Sequence, residues 1–155
     1  MVLALAGCAE KNPLLKEWNT PFGLPPFAEV SVEDYLPAIK KGIEMHDKEL
    51  EAITNNPAEP DFENTIAAMD CSGALFNRVY AVFANEELIN GTEAVQEVST
   101  EVTPLVSDHF SSISLNDKLF ERVKSVYERR DSLGLLPDQM RLVEETYRDF
   151  ERSGA

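Results

Sequence analysis

From Ser31 to Phe150 the apolar residues of this chain recur at intervals of three and four positions, which is the period of an amphipathic α-helix. No segment alternates apolar and polar residues well enough to compete as a β-strand. Turn signals divide the helical pattern at Asn55-Asn56-Pro57, Asn90-Gly91, Leu115-Asn116-Asp117 and Leu133-Gly134. The pattern therefore predicts an all-α domain of about five antiparallel helices in residues 31–155.

The starts of these helices are marked by residues that cap free backbone N–H groups. Ser31 and Asp34 have the spacing of a capping box with Asp in place of Glu, and Asp61 and Thr92 are N-cap candidates. Pro137 suits the first position of the fifth helix, where a missing N–H costs least. These signals predict where four of the helices begin.

Three residues inside the predicted helices carry further expectations. Gly73 falls in the middle of the second helix, at a cost of about 1 kcal/mol relative to Ala, so we expect a close helix crossing there. Cys71 lies in the same helix and is expected to pack in the core. Pro104 lies within the third helix and should kink it or end it.

Residues 9–30 form a proline-rich segment that holds four of the nine prolines of the chain. Because proline fixes φ and donates no backbone hydrogen bond, this segment should be extended rather than helical. Its apolar content is too high for a free linker, so we expect an arm that lies along a surface, such as that of a part of the protein that is absent here. The alternative interpretation is a plain flexible leader.

The first eight residues end in Leu5-Ala6-Gly7-Cys8, which resembles the box that precedes an acylated cysteine in bacterial lipoproteins. We therefore predict a remnant of a lipoprotein signal in residues 1–8, with lipid on Cys8 and a periplasmic or outer-membrane location. The alternatives are a disordered apolar tail and a cytoplasmic protein. No run of 18 apolar residues occurs in the sequence, so no membrane span is predicted.

The charge balance excludes one class of partner. The sequence has 28 acidic and 14 basic side chains, which gives a formal net charge of −14. Such a field repels nucleic acids and anionic membrane surfaces, so neither is expected as a partner. The two cysteines, Cys8 and Cys71, are too few for a disulfide framework.

The residues that could carry chemistry do not assemble into a recognisable motif. His46 and His109 are the only histidines, and neither lies in a His-Glu-x-x-His sequence. Each is therefore expected to be solvated or half-buried, and we predict no catalytic, cofactor-binding or metal-binding residue in this chain. Adjacent glutamates such as Glu144 and Glu145 point about 100° apart on a helix and do not share a site. A peptide contact through Arg130 is a further hypothesis.

Several short sequences along the chain resemble one known family. They are Asn12-Pro13-Leu14-Leu15, Leu24-Pro25-Pro26-Phe27, Tyr35-Leu36-Pro37-Ala38, Phe62-Glu63-Asn64-Thr65-Ile66 and Arg130-Asp131-Ser132-Leu133-Gly134. The resemblance is to the N-terminal region of the zinc metallopeptidases that include peptidyl-dipeptidase Dcp, oligopeptidase A and thimet oligopeptidase. It covers essentially all of residues 12–155, and the last of these sequences favours the enzymes that release C-terminal dipeptides.

The resemblance implies a larger, all-helical enzyme with a deep channel between two halves. Its zinc ion would be held by a His-Glu-x-x-His motif and a distal glutamate, in a C-terminal half that this chain lacks. Residues 31–155 would then be an incomplete N-terminal domain that forms one wall of the channel for short unfolded peptides. The resemblance implies a parent peptidase that uses zinc, and a chain that binds no zinc and is inactive alone. The alternative is a stand-alone helical module that binds peptides or proteins.

Overall fold

In the computed structural model, residues 11–154 are described, and their architecture is built from five α-helices. They are α1 (Val32–Thr54), α2 (Ala74–Asn90), α3 (Glu93–Ser114), α4 (Asp117–Arg129) and α5 (Pro137–Ser153). Short 3₁₀ turns occupy Pro13–Leu15, Pro21–Gly23 and Arg130–Ser132, and a π-helical turn at Phe62–Ala67 runs into one α-helical turn at Ala68–Asp70. The described part of the chain contains no β-strand, and the predicted all-α class is confirmed.

The predicted caps lie at the starts of their helices. The Asp61 carboxylate accepts the backbone N–H of Asn64 at 2.7 Å, and the Asn64 side chain accepts the N–H of Asp61 at 3.1 Å. The Thr92 hydroxyl accepts a backbone N–H of the first turn of α3 at 3.4 Å. At α1 one half of the predicted box forms, since the Asp34 carboxylate accepts the N–H of Ser31 at 2.8 Å. The side chains therefore satisfy backbone donors that a helix leaves open.

The predicted continuous helix through Gly73 is wrong. The backbone turns at Cys71–Gly73, and α2 begins only at Ala74. Gly73 has a φ of 71°, a left-handed conformation that residues with a Cβ rarely adopt. A Cβ at this position would also lie 2.7 Å from the His46 ring. The close approach expected at Gly73 is thus present, but it occurs in a turn. Cys71 is exposed, and its predicted core position is wrong.

Pro104 does not end the third helix, because α3 continues from Glu93 to Ser114 with the proline inside it. The apolar residues Val102 and Val106 on either side of Pro104 are both buried. Burial of this face stabilises the helix on both sides of the residue that interrupts its hydrogen bonding.

The described residues divide into two units. The first unit comprises residues 11–46 and 73–106, and the second comprises residues 47–72 and 107–154, so the division falls within α1 and within α3. Each unit has its own core. The first core contains Leu14, Tyr35, Ala38, Ile39, Phe76, Val79, Val82, Phe83, Val95, Val102 and Val106. The second contains Leu50, Ile53, Ile66, Leu119, Val123, Val126, Val143 and Phe150.

In the first unit α1 packs very closely against α2. A Cβ on Gly42 would lie 2.8 Å from the Cα atom of Phe76, a separation that real Cβ atoms essentially never show. Phe76 is fully buried at this contact and stacks on Tyr80 with ring centroids 5.7 Å apart. The absence of a side chain on Gly42 therefore permits the distance between the two helices.

The proline-rich arm begins as part of the first unit. The Asn12 side chain donates to the Asp34 carbonyl at 2.8 Å, and Leu14 is completely buried in the first core. The Arg78 guanidinium donates to the Leu14 carbonyl at 3.3 Å and lies 4.6 Å from the ring centroid of Trp18. The arm thus lies against this chain's own helices as far as Trp18. Farther along, the large side chains Phe22, Leu24 and Phe27 are exposed.

In the second unit α4 packs against α5 through aromatic rings. The Phe120 centroid lies 5.7 Å from that of Tyr147 and 5.7 Å from that of Phe150. Tyr127 stacks on Tyr147 with centroids 3.9 Å apart. The second unit therefore holds its two C-terminal helices together through a contact surface of its own.

We predict that Gly42→Ala destabilises the chain. Alanine in a helix is favoured over glycine by about 1 kcal/mol, so without a clash the substitution would stabilise. Contact with the Phe76 backbone instead forces the helices apart, and we expect a net loss of about 1–3 kcal/mol in urea unfolding. Lys40→Ala, on an exposed position of the same helix, is the control and should change stability by less than about 0.5 kcal/mol. A more stable Gly42→Ala variant would contradict the close approach.

Candidate functional site

His46 is a packing residue of the first unit. It lies on α1 with 8% of its surface exposed, and its ring lies 6.2 Å from the Phe76 ring, centroid to centroid, at an angle of 28°. The ring also fills the space beside Gly73, where a Cβ would collide with it. The expectation of a solvated or half-buried histidine is wrong here, because Gly73 makes room for the imidazole within the core.

His109 is buried in the second unit, with 4% of its surface exposed. Its Nδ1 atom lies 3.2 Å from Oδ1 of Asp47, whose side chain is itself largely exposed. The expectation of a solvated or half-buried side chain is wrong for His109 as well. The contact holds the Asp47 carboxylate at the edge of a cleft that Leu50, Glu51, Ser112, Ile113 and Lys118 also line.

These positions do not form a metal centre. Between Lys11 and Gly154 no cluster of three or more histidine, cysteine, aspartate or glutamate side chains could hold a metal ion. No helix in this range is long and apolar enough to span a bilayer. Cys8, the predicted lipidation site, lies outside the described residues.

Arg122 anchors a loop of the second unit. It lies on α4 with its side chain buried, and its guanidinium donates to the Asn56 carbonyl at 2.9 Å and to the Asn64 side chain at 2.8 Å. Arg129, two turns farther along the helix, donates to the Pro60 carbonyl. Charged donors satisfy the carbonyl groups of a loop that has no regular partner strand or helix. Both arginines therefore hold the loop that leads into the turn at Phe62 in place.

Arg130 is engaged at the end of α4. Its guanidinium carbon lies 4.1 Å from the Tyr127 ring centroid, and Nη1 donates to the Tyr127 carbonyl at 2.7 Å. Nε lies 3.8 Å from Oε1 of Glu144, whose other oxygen accepts a hydrogen bond from Arg148 at 3.3 Å. The geometry gives Arg130 a structural role, and the hypothesis of a peptide contact stays a prediction.

The first unit contains a partly apolar groove that we call the Phe27–Ile89 groove. It has a volume of about 360 Å³. Its walls are Phe27, Val30, Ser31, Val32, Tyr35, Asn85, Glu86, Ile89 and Asn90. Phe27 and Ile89 are exposed to solvent, and Ile89 has 73% of its surface open. Large apolar side chains that face solvent together around one opening mark a surface suited to a partner.

The electrostatics of this groove are negative. Burial raises the pKa of Tyr35 to about 12, and the carboxylates of Glu86 and Asp34 add to the effect. The Glu86 carboxylate accepts a hydrogen bond from the Asn90 side chain at 3.2 Å and remains at the groove wall. A side chain that enters the groove therefore meets an apolar interior with a carboxylate at its edge.

The curated proteins that this chain matches are named as peptidases. The chain is 35% identical over 144 residues to a protein named dipeptidyl carboxypeptidase from Escherichia coli (strain K12). It is 40% identical over 151 residues to the protein of the same name from Salmonella typhimurium, and each match covers 93% of this chain. Oligopeptidase A of Escherichia coli is 24% identical over 143 residues. No family model matches the chain.

These matches confirm the resemblance to the N-terminal region of peptidyl-dipeptidase Dcp, with oligopeptidase A as a more distant relative. The chain spans about a fifth of the length of the curated relatives it matches, at 21% for both dipeptidyl carboxypeptidases and 20% for oligopeptidase A. The matched region is thus a small part of each relative.

The burial of Arg122 and His109 belongs to no sequence motif, but the helical pattern contains a signal for it. Arg122 lies on the same helical face as the buried Leu119 and Val126, three and four positions away. His109 follows Val106 by three positions and precedes Ile113 by four. A polar residue within an apolar stripe predicts a buried group with specific partners, because an unsatisfied one would be costly there.

Proposed function

We propose that this chain is the N-terminal part of a zinc metallopeptidase that releases dipeptides from the C-termini of short peptides. The observation that carries the proposal is the 35–40% identity to two dipeptidyl carboxypeptidases over 93% of this chain. The all-α architecture, which the resemblance implied, supports it. The preference for dipeptide release over internal cleavage follows the higher identity to these relatives than to oligopeptidase A.

In this proposal the chain shapes the enzyme and does not perform the chemistry. The described residues do not fit a zinc site, since the histidine on α1 packs beside Gly73 and the histidine on α3 contacts Asp47. Zinc would be held elsewhere in the parent, where it would activate water for hydrolysis of a peptide bond. Residues 31–155 would contribute one wall of a channel that admits short unfolded peptides.

The proposal includes attachment of the parent to a membrane through lipid on Cys8, in the periplasm or at the outer membrane. The support is the Leu5-Ala6-Gly7-Cys8 sequence. We expect mass spectrometry of the natively expressed protein to show an acyl modification at Cys8. An unmodified Cys8 would remove the anchor and favour the cytoplasmic alternative.

The decisive experiment expresses the complete reading frame that contains residues 1–155. We expect this protein to release the C-terminal dipeptide from an N-acetylated tetrapeptide, with loss of activity on chelation of zinc. The 155-residue chain is the control and should cleave nothing at any zinc concentration, because residues 11–154 offer no set of metal ligands. A frame without a His-Glu-x-x-His sequence, or a complete protein without peptidase activity, would contradict the proposal and favour a stand-alone binding module.

A further inference from the structure

The buried face of α2 continues beyond the core that covers it. Val79 and Val82 are buried in the first unit, and steps of four and three residues along the same face lead to Glu86 and Ile89. Ile89 has 73% of its surface exposed although it lies on this face. A helix normally buries the apolar stripe it carries, since removal of large apolar side chains from water stabilises the fold. The first core is therefore incompletely covered at the last turns of α2.

The Phe27–Ile89 groove is the place where the first core is open to solvent. Its volume of about 360 Å³ accommodates large side chains, and its wall joins the proline-rich arm, the start of α1 and the end of α2. The interior is apolar at Phe27, Val32 and Ile89, and Glu86 supplies a carboxylate at the edge. These features define the chemistry of an occupant as an apolar side chain with a cation beside it.

We infer that the groove binds an apolar side chain flanked by lysine or arginine, contributed by the part of the parent polypeptide that lies outside this chain. The inference rests on the proposed function, because it requires a longer protein. About four fifths of the length of the dipeptidyl carboxypeptidase relatives lies outside the matched region, which leaves ample sequence to supply such a segment.

A second copy of this chain is a poor occupant. Each copy carries a formal net charge of −14, so two copies repel each other before their grooves meet. The same charge attracts a basic segment and favours its approach to the wall that carries Glu86. Charge complementarity thus favours a basic segment over a second copy of this chain.

The test uses the 155-residue chain and fluorescein-labelled peptides of about 20 residues that tile the Escherichia coli dipeptidyl carboxypeptidase outside its matched region. Fluorescence anisotropy should identify overlapping peptides that share an apolar residue next to lysine or arginine. Ile89→Asp should weaken their binding at least about tenfold. Leu88→Asp is the matched control, because Leu88 is adjacent and 83% exposed but does not line the groove, and it should change binding less than about twofold.

Glu86→Gln separates the ionic contribution from folding, since the two side chains have the same shape. This variant should weaken binding several-fold and reduce the loss of affinity between about 0.05 M and about 0.5 M salt. Circular dichroism checks that each variant is helical. Absence of binding by every peptide, or equal loss in Ile89→Asp and Leu88→Asp, would overturn the inference.

The outcomes also separate this inference from the proposed function. If the complete protein cleaves peptides while no tiled peptide binds this chain, the function stands and the inference about the groove fails. If tiled peptides bind through Ile89 while the complete protein has no peptidase activity, the inference about the groove is supported and the proposed peptidase function is contradicted.

Discussion

The close contact of α1 with α2 is the interaction on which the first unit depends. Gly42 has no side chain, and the Phe76 backbone occupies the space that a Cβ would need. At the start of α2, Gly73 supplies a left-handed turn and leaves room for the His46 ring. These two glycines set the position and rotation of α2, so that Val79, Val82 and Phe83 face the core. The same rotation carries Ile89 to the edge of that core, where no described residue covers it.

The polar residues in the interior stabilise the fold by hydrogen bonds to the backbone. Arg78 ties the arm to α2 through the carbonyls of Leu14 and Lys16, and Arg122 ties the loop before Phe62 to α4. Neither arrangement brings acids, bases and ligands together as a hydrolytic site would require. Residues 11–154 thus form a scaffold with two cores, and the first core leaves the Phe27–Ile89 groove open. This architecture agrees with a match to about a fifth of a peptidase.

The features that were predictable from sequence are those that depend on neighbours along the chain. The caps at Asp61 and Thr92, the start of α5 at Pro137 and the all-α class follow from local hydrogen bonding and helical period. The features that were missed depend on contacts between distant residues. Gly73 could lie at a helix crossing or in a turn, and only the left-handed φ and the adjacent His46 ring show that it lies in a tightly packed turn. Burial of His109 and Arg122 likewise depends on Asp47 and on Asn56, which lie more than 60 residues away.

If a segment of the complete protein occupies the Phe27–Ile89 groove, the last turns of α2 are covered in the complete protein and open in this chain. Hydrogen–deuterium exchange of the amides of residues 85–90 measures this cover directly, in the 155-residue chain and in the protein expressed from the complete reading frame. We expect exchange more than about tenfold slower in the complete protein, because burial of Ile89 suppresses opening of the helix end. Equal exchange in the two proteins would contradict it.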